Sequence, residues 1–431
     1  MTVKPNSQIY RQVRILDPTS AVDTVTDVLI VDGNIQQINS HINYDSDDIE
    51  VIEGKDLILA PGLVDLYSHS GEPGYEERET LDSLSKSALS GGFSRGGILP
   101  NTLPVVDNPA TVALIRGKVK HLATHFYIWG ALTNNLQGNV VAELSSLAQA
   151  GVIGFTDSRP FDNLLLLRRL LEYAQPFDLP VALVPSNMRL RAEGVIREND
   201  TSIRLGLMGC PGVSETIAIA SILELVALTR TPVHLMRIST ARGVELIRRA
   251  KEEGLPVSAS VNWHHLILNS EAVASYDPNL RLEPPLGEEN DRLALIEAIK
   301  NGVIDAIAVD HTPYTYEEKT VAFAQAPPGA IGYELILPLL WENLVTTGQI
   351  SPLKLWEALS TNPLHCLKQE GIKLQEGQKA ELILFSPHQS WQVTPSQLQS
   401  LSNNSYWLNQ EIRGKVLRFI SSSCSYNFDT V

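Results

Sequence analysis

Three side chains in this sequence of 431 residues could together hold a metal ion or move a proton. His69 follows the apolar stretch "GLVDLYS", Asp157 stands in "GFTDS", and Asp310 ends "AIAVD". One histidine and two carboxylates can serve as the protein ligands of a catalytic zinc ion, which activates water. A lone histidine on a polar loop is more often only hydrogen-bonded, so the hypothesis needs a fold that brings the three together.

Eight short apolar runs recur along the chain, separated by segments with helical periodicity such as "DNLLLLRRLLEYA" and "TARGVELIRRAKEEG". Strands that alternate with amphipathic helices form right-handed βαβ units, and eight such units close into a (β/α)8 barrel of the TIM type. The sequence therefore predicts this barrel. The runs are LVDL 63–66, GGILP 96–100, FYIWGA 126–131, VIGFT 152–156, VALV 181–184, VHLMRI 233–238, VSASV 257–261 and AIAVD 306–310.

The active site of such a barrel lies at the carboxyl ends of its strands. We therefore expect the residues at the ends of the runs to share one barrel mouth. These residues are Tyr67, His69, Asn101, Thr133, Asn134, Asp157, Val184, Arg237, Asn262, Asp310 and His311.

The two chain ends have a different pattern from the middle. Residues 8–60 alternate apolar and polar residues in short runs, which is typical of antiparallel strands. Short β runs return in "KLQEGQKAELILFSP" and the tail, whereas "TPSQLQSLSNNS" is predicted to be a surface loop. We expect one small β-sandwich domain from residues 1–60 and 371–431, beside a barrel domain of residues 61–370.

Composition limits the classes of function. A hydrophobic share of 43% without an apolar run of eighteen residues is typical of a soluble protein, and the start lacks a signal-peptide core, so we expect a cytoplasmic protein. The net charge of −15 disfavours nucleic acid and anionic membranes as partners. Cys210, Cys366 and Cys424 lack CxxC spacing, which argues against a disulfide framework or thiolate zinc site. A small-molecule substrate or a protein partner is expected, and a homo-oligomer.

Five longer segments resemble the class I type of dihydroorotase in the amidohydrolase superfamily, and the resemblance extends over nearly the whole chain. It implies zinc-activated hydrolysis and closure of a cyclic amide, which interconverts N-carbamoyl-L-aspartate and dihydroorotate in pyrimidine synthesis. It also implies aspartate carbamoyltransferase as a partner, which some members have. The segments are "PGLVDLYSHSGEPGYEERET", "GGFSRGGILPNTLPVVDNP", "HLMRISTARGVELIRRAKEEGLPVSASVNWHHLILN", "LEPPLGEENDRLALIEAIKNGVIDAIAVDHTPYTYEEK" and "APPGAIGYELILPLL".

About half of the functional positions that the resemblance implies are kept. His69 matches the second histidine of the family's His-x-His pair, and Asp157 matches the bridging carboxylate. Asp310 matches the last metal ligand, which in the family is also the general base, and Asn101 matches a substrate-binding residue. His69, Asp157 and Asp310 could supply the three protein ligands of at most one zinc ion.

The other positions carry residues that cannot do the family's chemistry. The first histidine of the pair is Tyr67, and the two later histidine ligands are Val184 and Arg237. Gly71 stands where the family has a substrate-binding arginine, and Tyr314 where it has a histidine. Losing that arginine removes both the charge and the fork geometry that bind a carboxylate.

Two hypotheses follow from this mixture. In the first, the protein is an active dihydroorotase, or a relative acting on another cyclic amide, with at most one zinc ion. In the second, the Arg237 guanidinium replaces the metal as counter-charge for the carboxylates, so that no metal binds. The protein is then a non-catalytic subunit that acts as a scaffold for aspartate carbamoyltransferase, and this second hypothesis is the one that the joint loss of ligands favours.

Overall fold

The structure is a computed structural model that describes residues 2–4, 7–43, 49–422 and 425–428. Its strands are β1 (Thr2–Lys4), β2 (Gln8–Asp17), β3 (Val22–Val31), β4 (Asn34–Asn39), β5 (Glu50–Glu53), β6 (Ile58–Pro61), β7 (Leu63–Ser68), β8 (Phe93–Ile98), β9 (His125–Gly130), β10 (Gly154–Phe155), β11 (Val181–Leu183), β12 (Ile196–Arg197), β13 (Gly209–Cys210), β14 (Val233–Leu235), β15 (Val257–Asn262), β16 (Ala306–Ala308), β17 (Glu381–Gln392), β18 (Glu411–Ser421) and β19 (Ser425–Asn427).

The helices lie mainly between the barrel strands and after the last of them. They are α1 (Leu81–Ser90), α2 (Pro109–Val119), α3 (Leu144–Gln149), α4 (Leu164–Ala174), α5 (Met188–Arg191), α6 (Asp200–Leu205), α7 (Val213–Thr229), α8 (Ala241–Glu252), α9 (His264–Ile267), α10 (Glu289–Lys300), α11 (Tyr316–Lys319), α12 (Tyr333–Leu340), α13 (Pro352–Trp356) and α14 (Asn362–Cys366). Short 3₁₀ and π segments accompany them, among them the π turns Trp341–Val345 and Glu357–Thr361.

Eight parallel strands form the predicted barrel. Their order in the sheet is β7, β8, β9, β10, β11, β14, β15 and β16, and each lies on one of the eight apolar runs. A continuous apolar core lies between the strands and the surrounding helices. The (β/α)8 fold expected from the alternation of runs is therefore confirmed.

Asp65 joins the first and last strands of the barrel. Its Oδ1 accepts a hydrogen bond from the backbone N–H of Val309 (2.9 Å), and its Oδ2 accepts from Ser68 Oγ (2.6 Å) and Tyr333 OH (3.1 Å). The backbone N–H of His311 in turn donates to Ser68 Oγ (3.0 Å). Burial raises the pKa of the Asp65 carboxyl to about 7. Side-chain hydrogen bonds thus hold β7 beside the end of β16, where the predicted functional residues begin.

Both chain ends contribute to one further sheet of nine strands. The sheet runs β1, β19, β18, β17, β6, β2, β3, β4, with β5 also paired to β2. Strands β2, β3 and β4 are antiparallel, as the alternation predicts. The antiparallel prediction is wrong for β5, which runs parallel to β2, whereas β6 is parallel to β2 on one side and antiparallel to β17 on the other. The direction of β6 follows from its position, because it leads after one residue into barrel strand β7.

The segment "TPSQLQSLSNNS" (394–405) was expected to be a surface loop, but half of it packs against the barrel. The fully buried Glu79 accepts hydrogen bonds from the backbone N–H of Leu401 (3.1 Å) and the hydroxyl of Ser400. Asn404 Nδ2 donates to the carbonyl of Thr312 (2.9 Å), just after β16. The segment has no helix or strand, as a loop was predicted to have, but its buried half is not at the surface because its polar side chains satisfy buried groups rather than water.

Two of the three cysteines lie within the described residues. Cys210 is a buried free thiol and Cys366 is a partly buried one, while Cys424 lies outside the described residues. Within the described ranges, none of the helices combines the length and the apolar character that crossing a membrane requires.

Replacing Asp65 tests whether its hydrogen bonds between the first and last strands stabilise the barrel. Asp65→Ala leaves the Val309 N–H and the Tyr333 hydroxyl buried without their acceptor. Because each such group costs about 1–3 kcal/mol, we expect the free energy of unfolding in urea to fall by about 2–4 kcal/mol. The control is Asp82→Ala, which removes a surface pair with Lys86 whose carboxylate side chain is 63% exposed and should cost less than about 1 kcal/mol. Equal stability of the two variants would contradict this account of closure.

Candidate active site at the barrel mouth

A cavity of about 530 Å³ opens at the carboxyl ends of the barrel strands. This is the position at which such barrels bind small molecules. Nine residues match functional positions of the family in the sequence. Seven of them line the cavity, whereas Tyr67 and Asp157 do not. The seven are His69, Gly71, Asn101, Val184, Arg237, Asp310 and Tyr314.

An ion pair between Arg237 and Asp310 forms the floor of the cavity. Arg237 Nη2 donates to Asp310 Oδ1 (2.6 Å), and the side chains are only 7% and 10% exposed. Asn262 Nδ2 donates to the other carboxylate oxygen, Oδ2 (2.7 Å). Both Arg237 (φ 58°) and Asp310 (φ 48°) have left-handed backbone conformations, which are strained for residues other than glycine and often mark functional sites.

His69 is held between Asn101 and Arg237. Its Nδ1 lies 2.6 Å from Asn101 Nδ2 and its Nε2 lies 3.3 Å from Arg237 Nη2. Burial lowers the pKa of the His69 imidazole to about 4, and the nearby Arg237 charge lowers it further against the opposite influence of Asp310. The ring is therefore neutral at pH 7. Since a guanidinium only donates, Nε2 accepts the hydrogen bond from Arg237.

Asp157 is turned away from the other two predicted metal ligands. Its Oδ1 accepts hydrogen bonds from the backbone N–H groups of Leu132 (2.8 Å) and Thr133 (3.0 Å), and its Oδ2 accepts from Thr133 Oγ1 (2.5 Å). Burial raises the pKa of this carboxyl. The structure brings His69 and Asp310 together, with Nε2 and Oδ1 3.9 Å apart, but not Asp157. The Asp157 carboxylate instead accepts hydrogen bonds from Leu132 and Thr133, just after β9.

The residues at the mouth do not fit a zinc ion. Arg237 Nη2 lies between His69 Nε2 and Asp310 Oδ1, the atoms that would have to face the metal. Tyr67 lies below the cavity floor, with its hydroxyl 2.8 Å from Ser260 Oγ and accepting the Arg237 backbone N–H (3.2 Å). Val184 belongs to the same apolar cluster as Tyr67. Within the described ranges, no three His, Cys, Asp or Glu side chains are grouped as a metal ion requires.

Gly71 leaves no room for the side chain that the resemblance leads one to expect. A Cβ atom at this position would lie 2.3 Å from the carbonyl oxygen of Glu79 and 2.4 Å from that of Tyr75. The backbone has therefore closed around the glycine. Tyr314 fills the wall nearby, and its hydroxyl donates to the carbonyl of Pro328 (3.3 Å) while the Arg78 guanidinium lies 5.1 Å above its ring.

Several lining residues were not identified from the sequence. Arg78, Arg159, Arg191 and Glu283 all line the cavity, and Arg191 forms a close ion pair with Glu283. Burial raises the pKa of the Glu283 carboxyl, although four surrounding arginines lower it. These residues lie on loops and on the short helix α5, beyond the strand ends on which sequence reasoning concentrated. The only signal was the excess of arginine in "NMRLRAEGVIRE" after the fifth run.

Comparison with known proteins gives one consistent family. The Dihydro-orotase-like family matches residues 56–242. A "Probable dihydroorotase-like protein" of Synechocystis sp. is 47% identical, over 96% of this chain and 100% of that protein, and the dihydroorotase of Pelobacter propionicus is 36% identical, over 94% and 96%. The L-hydantoinase (dihydropyrimidinase) of Arthrobacter aurescens superposes with a TM-score of 0.84 at 21% identity, covering 97% of this chain and 95% of its own, and thus shares the fold.

Replacing Arg237 by histidine tests whether its guanidinium prevents a metal ion from binding beside His69 and Asp310. The double variant Val184→His, Arg237→His removes a buried positive charge and adds two neutral ligands to the cavity that holds His69 and Asp310. We expect it to retain more zinc after dialysis than the parent does, measured by elemental analysis. The control Arg237→Gln removes the charge without adding a ligand. A double variant that retains no more zinc than this control would count against the predicted correspondence of the two positions.

Proposed function

Because the chain belongs to the dihydroorotase-like family, we propose that it acts in pyrimidine metabolism as a non-catalytic, metal-free member. We infer further that it is a cytoplasmic scaffold for aspartate carbamoyltransferase, the partner that the resemblance implies. The observation that carries the proposal is the Arg237 guanidinium, which pairs with Asp310 and contacts His69 where a metal would have to sit. A fixed cation there neutralises the carboxylate but supplies no hydroxide.

The energetic difference between zinc and a guanidinium is large. Zinc lowers the pKa of bound water by almost nine units, to about 7, which corresponds to roughly 12 kcal/mol at 1.36 kcal/mol for each pKa unit. A positioned hydrogen-bond donor such as a guanidinium stabilises a developing oxyanion by only about 2.7–4 kcal/mol. In addition, each oxygen of Asp310 already accepts a hydrogen bond within the protein, one from Arg237 and one from Asn262.

An active enzyme with at most one zinc ion remains the competing hypothesis. It is favoured by one observation, namely that His69, Asn101 and Asp310 line the same cavity. Against it, the Asp157 carboxylate accepts three hydrogen bonds from the residues that follow β9. It could not become a third zinc ligand without breaking them. Such a carboxylate would exchange several backbone and hydroxyl partners for one metal contact.

The scaffold proposal requires a surface on which a partner can bind, and helix α7 supplies one. Its sequence "VSETIAIASILELVALT" has apolar residues on its exposed face as well as on its buried face, which is unusual for a helix with one face in water. Ile217 (46%) and Leu228 (61%) are exposed on α7, and Leu164 (45%) and Leu165 (59%) are exposed on the adjacent α4. Leu164 and Ile217 line one groove between the two helices. We call this surface the α4/α7 face and propose it as the interface.

Metal content and turnover together test the non-catalytic assignment. The full chain is purified without chelator, its zinc content is measured by elemental analysis, and cyclisation of N-carbamoyl-L-aspartate is assayed with and without added zinc. We expect well under one zinc per chain and no rate above that of buffer. The dihydroorotase of Pelobacter propionicus, assayed in parallel, is the positive control. Stoichiometric zinc with turnover would overturn the proposal in favour of the active enzyme.

Binding to aspartate carbamoyltransferase from the same organism tests the scaffold role. We expect the two proteins to co-elute in size-exclusion chromatography, because the α4/α7 face would lose its exposure to water in the complex. Ile217→Lys together with Leu228→Lys should weaken the complex at least tenfold. The matched control is Val25→Lys, at a residue of β3 that is 61% exposed and lies in the chain-end sheet.

Other results of the co-elution experiment would contradict the scaffold role or assign the α4/α7 face to a different partner. No co-elution, or a complex that both variants weaken equally, would refute the scaffold role on this face. Self-association of the chain that is lost only in the α7 double variant would assign the face to a homo-oligomer instead.

A further inference from the structure

A chain of hydrogen bonds crosses the interior of the barrel beneath Arg237. The hydroxyl of Tyr67 lies 2.8 Å from Ser260 Oγ, which in turn lies 2.9 Å from His234 Nε2. The other ring nitrogen, Nδ1, lies 2.8 Å from Ser258 Oγ. Tyr67 and Ser260 are fully buried, and His234 is 2% exposed. The interior of such a barrel is usually filled by branched apolar side chains, so a continuous polar chain there is unusual.

Three strands bring these side chains together. Tyr67 lies on β7, His234 on β14, and Ser258 and Ser260 lie on β15. His234 and Ser258 are register partners on neighbouring strands, whereas Tyr67 and Ser260 meet inside the barrel because alternate strands contribute to the same interior layer. His234 and Ser258 also line a second cavity, of about 440 Å³, at the amino ends of β11, β14 and β15. The chain of hydrogen bonds therefore extends from the barrel mouth to the opposite end.

Tyr67 contacts Arg237 in two ways. Its hydroxyl accepts a hydrogen bond from the Arg237 backbone N–H (3.2 Å), and the Arg237 guanidinium lies 5.9 Å from the centre of the Tyr67 ring. This distance is within the range of a cation–π interaction. The backbone contact is important because Arg237 has a φ of 58°, a conformation that persists at a non-glycine residue only where the surroundings hold it. Tyr67 thus contacts both the strained backbone and the charged group of Arg237.

The directions of these hydrogen bonds follow from the burial of the groups. Tyr67 accepts from Arg237, so within the described structure Ser260 Oγ is the acceptor that remains for the phenolic proton. Ser260 then donates to His234 Nε2. Burial lowers the pKa of the His234 imidazole to about 3, so the ring is neutral, and its one proton lies on Nδ1 and is donated to Ser258 Oγ. Because bonds in such a chain strengthen one another, the Tyr67 oxygen becomes a better acceptor.

We propose that Tyr67, Ser260 and His234 are positioning residues for the cation at the barrel mouth. Ser260 and His234 act on Arg237 through Tyr67, because they fix the place and the direction of its hydroxyl. This inference rests on the proposed non-catalytic function and adds to it the residues that hold the guanidinium in place. Tyr67 is then more than a lost metal ligand, since its hydroxyl and its ring face both fit an arginine.

Chemical modification tests whether the chain of hydrogen bonds holds the guanidinium. Phenylglyoxal reacts with accessible arginines, and peptide mass spectrometry of the treated full-length protein locates the product at Arg237. The Arg237 side chain is 7% exposed, so we expect slow modification of the parent. Tyr67→Phe removes the acceptor of the Arg237 N–H and the donor to Ser260, so the rate should rise roughly fivefold or more. Ser260→Ala, which leaves the Tyr67 hydroxyl without its acceptor, should also raise the rate.

Two control variants separate this role from general destabilisation. Tyr10→Phe removes an equally buried phenolic hydroxyl, which is bonded to Gln8 in the chain-end sheet. Val261→Ala shortens a fully buried side chain of β15, next to Ser260, and weakens the apolar core. Both variants should leave the modification rate of Arg237 within about twofold of the parent, because neither touches the chain of hydrogen bonds. Thermal unfolding shows whether each variant is folded under the conditions of the reaction.

The position of the ring proton of His234 tests the chain in the parent protein itself. Through-bond NMR correlation spectra of protein that contains isotope-labelled histidine distinguish a proton on Nδ1 from one on Nε2. The His234 signal is assigned by its loss in His234→Gln. We expect the proton on Nδ1. A proton on Nε2 would reverse the hydrogen bonds and leave the Tyr67 hydroxyl without an acceptor, which would overturn the proposal.

The outcomes separate this inference from the proposed function. If Arg237 reacts as slowly in folded Tyr67→Phe and Ser260→Ala as in the parent, the positioning role is refuted, whereas the proposed absence of zinc and turnover stands. An equal rise in the two controls would refute the role as well, because the effect would then follow stability. If one variant does not fold, the other variant and the His234 spectrum decide. Zinc-dependent turnover of the parent would overturn the proposed function whichever rates are measured.

Discussion

The ion pair between Arg237 and Asp310 is the interaction on which the rest of the barrel mouth depends. Each charge is nearly buried, and removing one partner of such a pair typically costs about 3–5 kcal/mol because the other is left uncompensated. The pair also determines its surroundings. Arg237 donates to His69 Nε2, its backbone N–H is accepted by Tyr67 OH, and Asp310 accepts from Asn262. A metal could enter only by displacing the cation around which these contacts are organised.

The residues that depart from the family pattern are hydrogen-bonded or packed in this structure. Tyr67 has two hydrogen-bond partners for its hydroxyl, and Asp157 has three for its carboxylate. The backbone has closed around Gly71, and Val184 packs in the same apolar cluster as Tyr67. Random loss of a metal site would leave unpaired polar groups where the ligands had been. Here the unpaired groups that line the cavity include the Nε–H donors of Arg191 and Arg237 and the Oδ1 of Asn262, none of which stands at a lost ligand position except Arg237.

The sequence predicted the barrel because strand and helix periodicities are local properties, and all eight apolar runs became strands. The sequence also predicted that His69, Asn101, Arg237 and Asp310 share one barrel mouth, since the strand ends of a parallel barrel lie on one face. It could not predict which way the Asp157 carboxylate turns, because three donors at the end of β9 decide that only in the folded chain. Glu79 was missed for the same reason: an acidic helix start gives no sign that a distant segment will bury it.

The cavity at the barrel mouth and the α4/α7 face are joined by the short helix α5. Helix α5 carries Arg191, which lines the cavity, and packs against α7. The backbone N–H of Asn187 donates to the carbonyl of Ser214 at the start of α7 (2.8 Å). Val184 lines both the cavity and the groove between α4 and α7. A shift of α5 would therefore reach both the cavity and the α4/α7 face. Because binding linkage is reciprocal, a ligand in the cavity and a partner on that face would change each other's affinity by the same factor if α5 coupled them.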